Sequence, residues 1–171
     1  MTSRTLTDNE LMSVVMFDIE NVITRFRRLF NSHCSLFPCS YESKDYRKVQ
    51  KLFDDIEGAC LSVIYDAIHK KPFMFVFKDV QYAYVDCDAV VFDELNSLLY
   101  NMNMRTKRLE IQYLIFYDNR GMFAENTSDI GFDINQVIGE VMKHLKDECN
   151  KHLFRTITEK LDELDYLLCG F

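Results

Sequence analysis

The chain has 171 residues, 48% of them apolar, with 14 Phe, 9 Tyr, 5 Gly and 2 Pro, enough for one globular domain with a sizeable core and too aromatic for a disordered chain. So few Gly and Pro exclude a collagen, a linker array and an all-β protein with many tight turns. The 20 basic and 27 acidic side chains leave a net charge of −7, which argues against indiscriminate coating of nucleic acid and leaves room for a local basic patch.

In chain order, residues 1–10 are polar and lack the apolar region of a secretory signal. Thr7 and Glu10 form a capping box. Leu11, Val15, Ile19, Val22, Phe26 and Leu29 then recur at helical spacing, predicting one long amphipathic helix that ends near Asn31. From Ser43 to Lys70 the stripe Tyr46, Val49, Phe53, Ile56, Cys60, Val63 and Ala67 predicts a second. Two regular seams joined by a short loop imply an antiparallel helical hairpin. The period then changes to two: Phe73, Phe75 and Phe77, then Tyr82 and Tyr84, read as a β-hairpin over 73–85. Asp88 opens a third helix with stripe Val91, Leu95, Leu98 and Met102, and the alternation at Leu109, Ile111, Tyr113, Ile115 and Tyr117 predicts a third strand. Turn residues Asp118, Asn119, Arg120 and Gly121 close it. A last helix runs from Asp133 to Leu168, with a break expected near Asn150 and Lys151.

The expected fold is therefore α+β, in the order α-α-β-β-α-β-α. The hairpin at 8–70 and the long C-terminal helix pack on a small, mainly antiparallel sheet, within a single domain 1–171 whose α/β part is 73–171. An all-α bundle is the alternative. That alternative includes the helical apoptosis-regulator bundles carried by some viruses. Their Asn-Trp-Gly-Arg segment needs a Trp that this chain lacks, so no family is assigned. Long helices with more apolar seam than three short strands can cover imply a homodimer.

No run approaches the roughly 18 apolar residues that span a bilayer, so the expectation is a cytoplasmic protein without membrane insertion. Six cysteines, Cys34, Cys39, Cys60, Cys87, Cys149 and Cys169, read as reduced thiols, because disulfide frameworks belong to short secreted chains.

Charge is unevenly spread: residues 1–51 hold eight basic and six acidic groups, and 52–100 hold three and nine. Arg25, Arg27 and Arg28 end the first helix, where cations suit the dipole, but Lys44, Arg47, Lys48 and Lys51 open the second, where they oppose it. In an antiparallel hairpin the two groups meet at one tip, which would dock an acidic protein partner. A nucleic acid on the same residues is the alternative. Arg105, Lys107 and Arg108 form a second basic cluster. Cys34, Cys39, Cys149 and His152 are the one residue set with a spacing that suits zinc, although looser than paired CxxC. Asp86 and Asp88, between a strand and a helix, are the acids a metal-dependent hydrolase would use, but turn and N-cap roles explain them well and no positioned nucleophile or base accompanies them. Phosphate-cradling, nucleophile-elbow and HExxH motifs are absent. The reading is a non-enzymatic interaction module.

Overall fold

A computed structural model describes residues 8–70, 76–77, 80–81, 89–115 and 120–171. Five helices carry the fold: α1 (Asp8–Leu36), α2 (Tyr46–Lys70), α3 (Ala89–Ile115), α4 (Arg120–Met142) and α5 (Glu148–Leu168), with a short 3-10 helix, Pro38–Glu42, between the first two. Helix α1 packs against α2, α3 and α4, while α5 packs on α2 and α4.

The sequence of α1 explains its central place. From Leu11 to Met16 every residue is buried, Ser13 included, and Asp18 and Ile19 follow. A helix buried on all sides must be enclosed by others. Past Ile23 the buried set narrows to Phe26, Leu29, Phe30, His33 and Cys34, and Arg28, Asn31 and Ser35 turn to solvent. Among the described side chains of α1, the exposed ones all lie in its C-terminal half.

Phe30 is the hub of the core. Its ring lies 5.9 Å from both Tyr46 and Phe53 on α2, 6.3 Å from Phe123 on α4 and 5.1 Å, edge-on, from Phe171. Together the contacts tie α2, α4 and the residues after α5 to α1, and such pairs add to the area they bury. His33, one turn on, stacks on Phe123 at 4.0 Å and donates through Nε2 to the Phe171 carbonyl at 2.9 Å. The residues after α5 are thereby fastened to the centre of the molecule.

The α+β expectation is overturned: the described residues form an all-helical fold. The β structure among them is a two-residue antiparallel ladder, Val76–Phe77 with Val80–Gln81. The rest of the predicted hairpin, 73–75, 78–79 and 82–85, lies outside the described residues, as do Thr7 of the capping box and Asp88 of the predicted cap.

The predicted strand at 109–117 is the larger correction, because residues 109–115 are the last turns of α3. The buried seam of that helix is Leu99, Met102, Thr106 and Leu109, with Asn103 beside it, a three-four-three spacing with polar members. Thr106 Oγ1 donates to the Met102 carbonyl at 2.8 Å and Asn103 Nδ2 to the Leu99 carbonyl at 3.0 Å. Thr106 is thus satisfied within the helix, and Asn103 by this bond together with one its Oδ1 accepts from Arg25 of α1, so both can be buried. The alternation of β-branched and aromatic residues signalled a strand, but packing overrides propensity; Ile111, one of the alternating residues, is 58% exposed on the helix.

Of the predicted Asp118–Gly121 turn, Arg120 and Gly121 open α4 instead, while 118–119, like 116–117 of the predicted strand, lie outside the described residues. The last predicted helix is two helices, and the break falls at 143–147 rather than 150–151. Asp147 makes that break: its side chain accepts from the amides of Cys149 and Asn150, the N-cap arrangement of α5. Asp8 braces the same turn, its carboxylate accepting from the amides of Lys146 at 3.1 Å and Asp147 at 2.7 Å.

The buried seams of the helices form one core cluster within the chain. No described helix is long and apolar enough to cross a membrane.

Candidate functional site

Helices α1 and α2 run antiparallel: Asn31 accepts from Gln50 at 3.3 Å, and Arg27 reaches Asp54 at 2.6 Å and Glu57 at 3.4 Å. The ends meet as the sequence requires, but the seven predicted cations divide into two groups.

Arg27 is spent internally. Its guanidinium lies over the Phe53 ring at 5.4 Å while holding the two α2 carboxylates. Burial pushes the Glu57 carboxyl above its ordinary range, and Arg27 pulls it partly back. Arg25 points elsewhere, donating to Asn103 Oδ1 on α3 at 3.3 Å. Neither is available to a partner in this arrangement.

Arg28, Lys44, Arg47, Lys48 and Lys51 are exposed. Lys48 reaches Asp45 at 3.9 Å with its side chain 66% exposed, an ion pair that water largely screens. The other four have no carboxylate within ion-pair reach among the described residues. The first intrahelical bond of α2 runs from the Val49 amide to the Asp45 carbonyl, so Asp45 is the N-cap and Arg47 and Lys48 occupy the first turn. Two cations there face the positive end of the helix dipole. Arg47, Lys48 and Lys51 recur at helical spacing on one face of α2, with Lys44 just before it, and Arg28 stands one turn from Asn31, which accepts from Gln50 of α2.

An aromatic component that sequence reasoning missed joins them. Tyr41, on the 3-10 helix, is 46% exposed, edge-on to Tyr46 at 5.3 Å and within 3.4 Å of the Ser35 hydroxyl. Leu36 is 42% exposed at the end of α1. The pattern Leu36-Phe37-Pro38 held the signal, a large apolar residue just before a proline-initiated turn; Tyr41 gave none. An exposed Tyr and Leu at the same hairpin end as exposed Arg and Lys have the composition of protein interfaces.

The second basic cluster also divides. Arg105 binds Asp133 at 3.0 Å and Asp129 at 3.5 Å; Lys107 and Arg108 are exposed on α3.

The zinc set is not assembled. Cys149 and His152 lie at the start of α5, beside Asp8 at the N-terminus of α1. Cys34 is buried and Cys39 lies near it, both at the far end of α1. Twenty-six residues of helix separate Asp8 from Cys34, roughly 40 Å at 1.5 Å per residue. One ion cannot bridge that distance, and no group of three or more ligands gathers among the described residues. Burial pushes the Cys34 thiol up to about 11 and that of Cys60 up to about 12, so both are held as neutral core residues. Asp86 and Asp88 of the hydrolase alternative, like Cys87, lie outside the described residues.

The chain matches no family model, no curated protein and no solved structure.

Proposed function

We propose that the chain is a protein-docking module whose contact surface is the α1–α2 tip, taking an acidic partner. The observation that carries this reading is the set of exposed cations at one end of the hairpin, Arg28, Lys44, Arg47, Lys48 and Lys51, together with exposed Tyr41 and Leu36 in the connection between the two helices. Arg47 and Lys48 stand where charge opposes the helix dipole and weakens the fold. Cations held in a position unfavourable to stability are understandable where they serve recognition. The total of −7 favours a localised acidic protein over nucleic acid, since the long-range field repels a polyanion while a local patch steers a small acidic surface.

The test is affinity capture with tagged protein from cells, comparing wild type with the triple variant Lys44→Glu, Arg47→Glu, Lys48→Glu, whose fold is checked by circular dichroism. The reading expects an acidic protein retained by the wild type and lost by the variant. Equal retention defeats it. Filter binding of RNA and DNA at two salt concentrations separates the alternative: a steep loss with salt would transfer the same residues to nucleic-acid binding.

A further inference from the structure

The outward faces of α3 and α5 carry opposite charge on the same spacing. On α3, opposite the buried seam of Leu99, Met102, Thr106 and Leu109, Ser97, Tyr100, Met104, Lys107 and Ile111 recur at three and four, all exposed. On α5, opposite the buried Phe154, Ile157, Leu161 and Leu164, the exposed residues His152, Arg155, Glu159, Asp162 and Tyr166 recur at the same intervals. Such spacing keeps each set on one line along its helix.

Neither line is satisfied within the chain. Tyr100, Met104 and Ile111 are 53%, 42% and 58% exposed, and Tyr166 is 80% exposed. Exposed Lys107 and its neighbour Arg108 have no carboxylate within ion-pair reach among the described residues. Exposed Glu159 and Glu163 likewise have no cation, since Lys160 turns to Asp55 on α2 and Arg155 lies 3.9 Å from Glu148. Asp162 meets an uncharged donor, the Asn135 amide, at 3.1 Å. Glu159 and Glu163 stand four apart on a helix, where like charges repel.

The two lines complement each other in either direction. Run antiparallel, Lys107 meets Glu159 when Tyr100 meets Tyr166; run parallel, Lys107 meets Asp162 when Ile111 meets Tyr166. Each way a cation finds an anion and Tyr166 finds a large apolar or aromatic partner. Pairing α3 with α3 would oppose cations, and pairing α5 with α5 would oppose acids. Within one chain α3 packs on α1 and α4 while α5 packs on α2 and α4, so the two lines can join only between copies. The chain thus supplies both halves of the contact.

We infer that the protein self-associates head to tail, α3 of one copy lying along α5 of the next. Because the two surfaces differ, each pair keeps a free α3 and a free α5, and copies add on or close into a ring. The lines are about 22 Å long at 1.5 Å per residue, a small interface, and a Kd of about 10 μM to 1 mM suits that size. The net charge of −7 on each copy is screened beyond about 8 Å at physiological salt, whereas charges in contact are not. This contact uses no residue of the α1–α2 tip and does not rest on that reading.

Sedimentation velocity of the full-length protein, at about 0.15 M salt and with reductant because Cys39, Cys149 and Cys169 are exposed, tests it. Average mass should rise between about 10 μM and about 1 mM. Lys107→Glu/Arg108→Glu and Glu159→Lys/Glu163→Lys, checked for fold by circular dichroism, should each associate at least about tenfold more weakly. Mixed in equal amounts the two should associate again, because their reversed faces match. Tyr166→Ser should weaken the contact with no change in charge. The tip variant Lys44→Glu, Arg47→Glu, Lys48→Glu should associate as the wild type does; if it does not, α5 pairs with the tip and the α3 assignment fails while the tip reading stands. A monomer throughout the range, undiminished association in the folded charge variants, or no recovery on mixing would overturn the inference.

Discussion

Reversing charge in the first turn of α2 should make the protein more stable. Arg47 and Lys48 follow the Asp45 N-cap and face the positive end of the helix dipole. A charge at that position is worth roughly 0.3–1 kcal/mol, unfavourable for a cation and favourable for an anion. Exchanging both in Arg47→Glu/Lys48→Glu removes two penalties and adds two gains. Both sites are exposed, so the lower end of that range applies to each. Against this stands the loss of the Lys48–Asp45 pair at 3.9 Å and its replacement by two like charges, a few tenths of a kcal/mol each way. The net expectation is about 1 kcal/mol of added stability, which for a chain of this length is a rise in Tm of about 2–4 °C. Urea denaturation and thermal melts followed by circular dichroism at low ionic strength and at 0.5 M NaCl measure it. The gain should shrink at high salt as the Debye length falls. A variant less stable than wild type, or a gain indifferent to salt, would refute the claim that these cations are held against the helix's own preference.

Three further outcomes follow from the core and the Arg105–Asp133 pair. Phe30→Ala removes the ring that joins α1, α2, α4 and Phe171 and should cost about 3–5 kcal/mol by urea denaturation; a loss below about 1.5 kcal/mol would mean the aromatic hub collapses around the void. Native alkylation at pH 8 read by mass spectrometry should label exposed Cys39, Cys149 and Cys169 and spare Cys34 and Cys60, whose thiols are buried and pushed up to about 11 and about 12; equal labelling of Cys60 would contradict its place in the core. In the folded protein Asp133 holds its proton more firmly than in the unfolded chain, so its contribution to stability is full below the unfolded carboxylate range and is lost as pH rises through the folded value. The Tm of Asp133→Asn relative to wild type should therefore be highest near pH 7 and decline towards pH 4, and a difference that grows on acidification would reverse the assigned sign.

Where the apolar residues form an uninterrupted seam, the helix could be read directly. Leu11 to Leu29 and Tyr46 to Cys60 repeat at three and four with no polar break, and the structure has α1 and α2 there. In α3 the seam passes through Asn103 and Thr106, and both pay for their burial with hydrogen bonds inside the helix that only coordinates display. Alternating aromatics then mimicked a strand. The break before α5 was misplaced for a related reason, because it is set by Asp147 together with Asp8, residues far apart in the chain.

The site divides in the same way. Sequence alone determined that cations cluster at both ends of one helical connection, since that follows from counting residues along two periodic segments. Which of them are free was a tertiary matter: Arg27 is consumed by Asp54 and Glu57, Arg25 by Asn103, and Tyr41 is added to the surface. The zinc set failed on distance, because spacing along the chain says nothing of the roughly 40 Å that α1 interposes. The pair between α3 and α4 was illegible, as Arg105 and Asp133 are 28 positions apart and meet only once two helices pack. Periodicity is local and survives in sequence; charge pairing and burial depend on which surfaces meet, and tertiary packing decides that.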